Sequence, residues 1–153
     1  MSKSSLPEGT FRRIRLSDGS FAYGRALDPP YVAFYEFRSS QPISELDVLE
    51  NQPILFVQSV RLSGIRRWEA IGVRPLVGAV AQPFLRYSQD VLDYQQCVIF
   101  DSLGNERPAT PEECVGIEQS AVWEAQGIEE RLLDAFEGRA NAEEVRSRVR
   151  LKP

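Results

Sequence analysis

Thr10-Phe-Arg-Arg-Ile-Arg-Leu16, the pair Asp18-Gly19 and the run Ser20-Phe-Ala-Tyr-Gly-Arg-Ala-Leu27 form the stretch from which the fold is read. Two segments with aromatic and β-branched residues flank an Asp-Gly pair, the local signature of a tight reversal between paired strands. The reading is a β-hairpin. In the second run Phe21, Tyr23, Arg25 and Leu27 share one face, and Ala22, Gly24 and Ala26 share the other, as the period of two in a strand requires. Asp28-Pro29-Pro30 breaks that run, and Tyr31-Val-Ala-Phe-Tyr-Glu-Phe37 continues as a third antiparallel strand.

Working outward, Ser44 to Leu49 reads as one or two helical turns, with Ser44 as the N-cap over Glu45 and Asp47. Pro53 to Val60 is a strand with proline at its start, where a missing N–H costs least. From Ser63 to Pro83 three glycines and two prolines break the pattern; Trp68 to Ile71 is a short strand candidate there, and Phe84 to Tyr87 is another just beyond. Tyr94 to Asp101 is the last strong strand, ended by Leu103-Gly104-Asn105. Thr110-Pro111-Glu112-Glu113 then combines a capping threonine, proline at the first helical position and two first-turn acids, a helix start. Apolar residues at 117, 121, 125, 128, 132 and 136 keep helical spacing, with Gly127 either bending one helix or separating two. The expected fold is α+β: a mainly antiparallel, strongly twisted sheet with a C-terminal amphipathic helix or helices packed on it. Residues 1–9 are expected to be a flexible N-terminus, 10–137 a single domain, and 138–153 a charged tail, frayed or carrying a short helix.

The chain has 153 residues, 42% hydrophobic and 26% charged, enough for a core without disulfide or metal staples. It contains no histidine. That count excludes Ser-His-Asp and Cys-His nucleophiles, His-rich zinc sites and the two-His-one-carboxylate iron site. A lysine base is nearly excluded too, because the only lysines are Lys3 and Lys152. Cys97 lies in an apolar run and Cys114 in a polar one, with no CxxC pattern, so two free thiols in a reducing compartment are expected. No apolar segment has the length of a signal-peptide core or a membrane span; the expected location is the cytoplasm.

Residues 101–144 hold twelve acids against three arginines, a local balance of −9, which leaves the rest of the chain near +5. Such a face is either the solvated side of an amphipathic helix or a surface that steers a basic protein partner. On the second reading Glu118, Glu124, Glu129 and Glu130 supply steering charge and Trp123 is the interface anchor; core packing is the default role of both Trp123 and Trp68. The pairs Glu112-Glu113 and Glu129-Glu130 suggest acid–base or cation-binding chemistry only weakly, since adjacent helical residues point about 100° apart. Arg12, Arg13, Arg15, Arg61, Arg66, Arg67 and Arg74 make the N-terminal half mildly basic. The alternation Arg13-Ile14-Arg15-Leu16 reads as one wet strand face rather than a nucleic-acid platform, because no RNP-like motif accompanies it.

Gly9-Thr10-Phe11 leading to Leu16-Ser-Asp-Gly19, then Ala22-Tyr-Gly-Arg25 and Tyr31-Val-Ala-Phe-Tyr35, resembles the start of the immunity protein 26 family of bacterial polymorphic toxin systems. Trp68-Glu-Ala-Ile-Gly72, Glu113-Cys-Val-Gly-Ile-Glu118, Ala121-Val-Trp123 and the run Ile128 to Leu132 look like that family's later part, so that the resemblance covers roughly residues 9 to 137. It implies a cytoplasmic protein that binds a cognate toxin domain and blocks it without chemistry, with no cofactor, metal, nucleic acid or membrane, as a monomer or weak dimer. The family name is also attached to a protein described as a phosphotriesterase, which implies an enzymatic rival; without histidine it would need a site built from carboxylates alone. A third alternative is a protein-interaction domain with some other role. The resemblance carries over no catalytic residue.

Overall fold

In the computed structural model, which describes residues 7–153, the Asp18-Gly19 reversal joins β1 (Thr10–Arg15) to β2 (Phe21–Ala26). The Leu16 N–H donates to the Ser20 carbonyl at 2.8 Å and the Gly19 N–H to the Leu16 carbonyl at 2.9 Å. Asp18 Oδ1 accepts from both the backbone and the hydroxyl of Ser20, which holds the Asp18 carboxyl below its usual range. The expected third strand is β3 (Tyr31–Ser39), and the strand beginning after Pro53 is β4 (Ile54–Val60). The flexible start expected at 1–9 falls mostly on residues 1–6, outside the described residues.

The chain divides into two compact units: one takes in the chain through Ala81 together with Val122–Asn141, the other Gln82–Ala121 with Ala142–Pro153. The first unit is built on a six-stranded sheet of order β10-β4-β3-β2-β1-β5, in which β5 is Glu69–Val73 and β10 is Val122–Trp123. All its pairings are antiparallel except β10 with β4. Both faces of this sheet are covered. One face packs Ile14, Ala22, Val32, Phe34 and Phe56 against Trp68, Trp123, Ile128 and Leu132. The opposite face packs Phe11, Tyr23 and Tyr35 against Leu49 and Leu46. The alternation read from Arg13 to Leu16 is kept, with Ile14 and Leu16 buried, Arg15 exposed and Arg13 half-buried, where it binds the Ile43 carbonyl and Glu69; Arg12, just before it, is buried, its Nη1 donating to the Trp68 carbonyl at 2.9 Å. The apolar stems of Arg12 and Arg13 pack inward while carbonyls and a carboxylate take guanidinium donors, with Arg12 Nε left buried without a partner.

Helix α1 (Leu46–Glu50) is capped at Glu45 without a side-chain hydrogen bond, not by Ser44, whose hydroxyl instead accepts from Arg13. Helix α2 (Leu62–Arg67) occupies the glycine-broken stretch before β5. The helix expected from Thr110 is a 3-10 turn, Pro111–Cys114, although its capping box is complete. Val115 is already extended, Gly116 turns the chain at φ +85°, and residues 118–119 and 122–123 pair as strands. Strand pairing thus displaces the helical spacing read from Ile117. The long helix, α3 (Ala125–Glu137), begins eight residues later, and Gly127 lies inside it without breaking it.

The second unit holds a four-stranded sheet, β8-β7-β6-β9: β6 (Leu85–Gln89), β7 (Cys97–Asp101), β8 (Glu106–Ala109) and β9 (Glu118–Gln119), the last parallel to β6. Helix α4 (Ala142–Arg146) opens its C-terminal segment. Its core is Tyr87, Cys97, Ile99 and Cys114, with Ile117 and Val149 packed on them. Both cysteines are free thiols, buried and in contact despite their unlike sequence settings. The Tyr87 hydroxyl donates to the Ser147 carbonyl. Burial, reinforced by Cys97, pushes the Cys114 thiol from 9.0 up to about 11; burial likewise pushes Tyr87 from 10.0 up to about 12.

Both groups fold in their neutral forms, so above about pH 9 the unfolded chain holds fewer protons than the native one and stability declines. The decline runs from the unfolded value of 9.0 through the folded value near 11 for Cys114. The urea midpoint should fall across this window in the wild type and fall less steeply in Cys114→Ala; identical slopes would contradict a buried neutral thiol.

Candidate partner-binding site

The acidic segment resolves into residues with different tasks. Trp123, on β10, is 3% exposed and sits in the core, so it fills the interior rather than anchoring a surface contact. Its burial follows from the β10–β4 pairing, which places Trp123 opposite Val60 on the helix-covered face. Above it lies the buried guanidinium of Arg131, 3.7 Å from the Phe56 ring centre and 5.2 Å from that of Trp123. A cation stacked on two aromatic faces accounts for this arginine's place in an otherwise apolar helix face.

Glu129 is half-buried, and its Oε2 accepts from Trp68 Nε1 at 2.9 Å. It satisfies a donor that would otherwise be stranded beneath α3. Glu124 caps α3 on the surface and pairs with Arg61 Nε at 2.7 Å, both side chains well exposed. Glu130 is exposed, within 3.4 Å of Gln126 one turn earlier. Glu118 belongs to the other unit, half-buried on β9. There it lines a groove of about 440 Å³ together with Val115, Glu144, Arg148 and Leu151. In the first unit the structure therefore leaves Glu124 exposed at the start of α3 and Glu130 exposed along it, half-buries Glu129 against Trp68 and puts Trp123 inside. Glu124 and Glu130 are the carboxylates of that unit's set with the exposure that long-range steering needs.

The sequence reading passed over the β6–β7 connection, Asp90-Val-Leu-Asp-Tyr94. Val91 is 86% exposed and Leu92 98%, the two most exposed large apolar side chains among the described residues. Their backbone is held in place: Asp90 Oδ1 accepts from the N–H groups of Leu92 and Asp93, both at 2.8 Å. Gln89 Nε2 donates to the Tyr94 and Arg150 carbonyls, and Arg150 Nη2 to the Asp90 carbonyl. The available signal was an apolar pair bracketed by turn-forming aspartates in a stretch too short for a strand. A second cavity, about 500 Å³ and lined by Ser88, Gln89, Asp90, Gln95, Gln96 and neighbouring strand residues, lies at the foot of this tip.

Among the described residues no group of three or more His, Cys, Asp or Glu is placed to hold a metal ion, and no helix is long and apolar enough to cross a membrane. A sequence model of immunity protein 26 matches residues 7–98, more than half the chain. The chain belongs to the immunity protein 26 family. The match takes in β1 through β6 with the Asp90–Tyr94 tip and ends at the start of β7, before the acidic segment. No curated protein and no solved structure matches this family member.

Because Trp123 is a core residue, truncating it acts on stability. Trp123→Ala should lower the unfolding free energy by about 3–5 kcal/mol, read by urea denaturation; a change of less than roughly 1 kcal/mol would place the indole outside the packing described.

Proposed function

We propose that this immunity protein 26 family member binds and neutralises a cognate bacterial polymorphic or contact-dependent toxin in the cytoplasm, stoichiometrically and without chemistry. The observation that carries the reading is the family match over residues 7–98. The geometry supports it: the Glu124 carboxylate is exposed at the N-cap of α3 and the Glu130 carboxylate on the helix itself, suited to steering a basic partner toward an interface of standard size, ~1,600 Å² in total.

The test is retention of a partner by tagged protein in lysate of the source bacterium, followed by co-expression of the partner's toxic domain with and without this chain. Recovery of a large secreted or contact-dependent polypeptide, and restored growth on co-expression, is the expected result. A purified chain that protects against no such domain but hydrolyses an activated phosphotriester with added divalent metal would overturn the reading in favour of a hydrolase.

Steering leaves a kinetic signature. With the toxin domain, Glu124→Gln/Glu130→Gln should associate several-fold more slowly at low salt, by roughly the share two charges hold in a steering field, and the gap should close at high salt while dissociation stays the same. Equal association rates at low salt would remove this helix surface from the encounter.

A further inference from the structure

We propose that the β6–β7 tip, Val91-Leu92, is the apolar anchor by which the chain docks into a cleft of its protein partner, apolar at its floor and cationic at its rim; this rests on the toxin-binding reading. Isolated exposed aliphatic residues are ordinary on a protein surface. Here the two most exposed ones are consecutive, at 86% and 98%, on a convex turn. Leu103, Val77 and Val122 are also exposed, each without an equally bare neighbour in sequence.

The tip is also prepared for binding. Asp90 fixes the Leu92 and Asp93 N–H groups, Asp93 Oδ1 accepts from the Gln95 N–H at 3.1 Å, and the Asp90 N–H donates to the Gln96 carbonyl at 2.9 Å. From the C-terminal segment Arg150 and Gln89 exchange hydrogen bonds on either side of its base. A loop held this way loses little freedom on docking, so most of the apolar burial is realised as affinity. The same bonds hold the Asp90 carboxyl below its usual range.

Charge and shape select the occupant. The apolar pair is bracketed by Asp90 and Asp93. A second copy of this chain is a poorer receptor: the cavity beside the tip is lined by Ser88, amides, strand residues and Asp90 itself, and in the groove on the same unit the lining cation, Arg148, is already paired with Glu144 at 2.7 Å and shares the groove with Glu118 as well. Neither offers Asp90 and Asp93 an uncommitted cation. Two aliphatic side chains also supply only a small part of the ~1,200–2,000 Å² a stable interface needs, so the tip works as the buried centre of a larger contact. An anionic lipid surface is opposed by the same aspartates. A concave protein site with arginines or lysines at its mouth satisfies both the apolar pair and its flanks.

The probe is the toxin domain that the wild-type chain neutralises, titrated calorimetrically. Leu92→Asp should raise Kd by about 30-fold or more, the signature of a hot-spot residue, with the melting temperature unchanged because the side chain touches nothing in the fold. Asp90→Ala leaves the apolar surface as it is but removes both the clamp on the Leu92 and Asp93 N–H groups and one of the two flanking charges, and should weaken binding by about tenfold. Leu103→Ser, on an exposed turn elsewhere, should bind as the wild type does. Wild-type affinity in Leu92→Asp overturns the proposal and leaves the immunity reading intact. A wild-type chain that neutralises no toxin overturns both. Co-sedimentation of the wild type, but not Leu92→Asp, with phosphatidylglycerol vesicles assigns the tip to lipid and overturns it as well.

Discussion

The buried guanidinium of Arg25 is the fixed point around which the larger sheet is arranged. Arg25 is 2% exposed. Its donors reach the Gly9 carbonyl at 2.9 Å, the Tyr35 hydroxyl at 3.1 Å and the carbonyls of Arg74 and Pro75 at 3.0 and 2.9 Å, and its plane lies 4.0 Å from the Phe11 ring centre. Burying an unpaired cation costs several kcal/mol unless its donors are met; here neutral dipoles and an aromatic face meet them. Those acceptors belong to the entry to β1, to β3 and to the segment leaving β5, so one side chain ties the edge of the sheet to its middle. The tie also fixes Gly9: at φ +87°, a Cβ there would lie 2.0 Å from the Arg74 carbonyl oxygen.

What was legible in the sequence follows from how local each signal is. The hairpin, β3 and β4 are written in strand periodicity and turn residues, and each appears where those signals place it. The acidic half is different. Thr110 and Glu113 form the complete capping box that their spacing announces, yet the helix stops after one turn because Gly116 turns the chain and Glu118-Gln119 pairs with β6. The periodicity from Ile117 was real only from Ala125 onward, where Ile128 and Leu132 reach the core. Pairing with a strand some thirty residues away leaves no local trace, so tertiary contacts decided what propensity could not.

The arginines show the same limit in charge. The alternation on β1 suggested a wet strand face, and Arg15 is exposed there, but several arginines of the mildly basic N-terminal half are already paired: Arg12 on a carbonyl, Arg13 on Glu69, and Arg74 on Asp47 and Glu50 at 2.6 and 2.7 Å. The acids divide likewise. Glu129 serves Trp68, Glu137 pairs with Arg38 at 2.6 Å, and Asp134 holds Arg139 and Asn141 at the end of α3. Net charge counted along the sequence therefore overstates what the surface presents, because pairing with residues distant in sequence is invisible to the count. The same holds for Trp123: its place beside acidic residues suggested exposure, while its register against Val60 buries it.

This division separates the residues that make the fold from those free to serve recognition. Trp123, Glu129 and Arg131 cannot change without disturbing the packing of α3 on the sheet, so they are poorly placed to vary with a partner. Glu124, Glu130 and the Val91-Leu92 pair make few or no demands on the interior. The tip is the sharper case, since its conformation is set by Asp90 and Arg150 while its two apolar side chains bond to nothing. A scaffold that fixes the backbone and leaves the side chains uncommitted can exchange those side chains at little cost in stability. An inhibitor that must match one partner closely needs that arrangement, because affinity can then be tuned without refolding the protein that carries it.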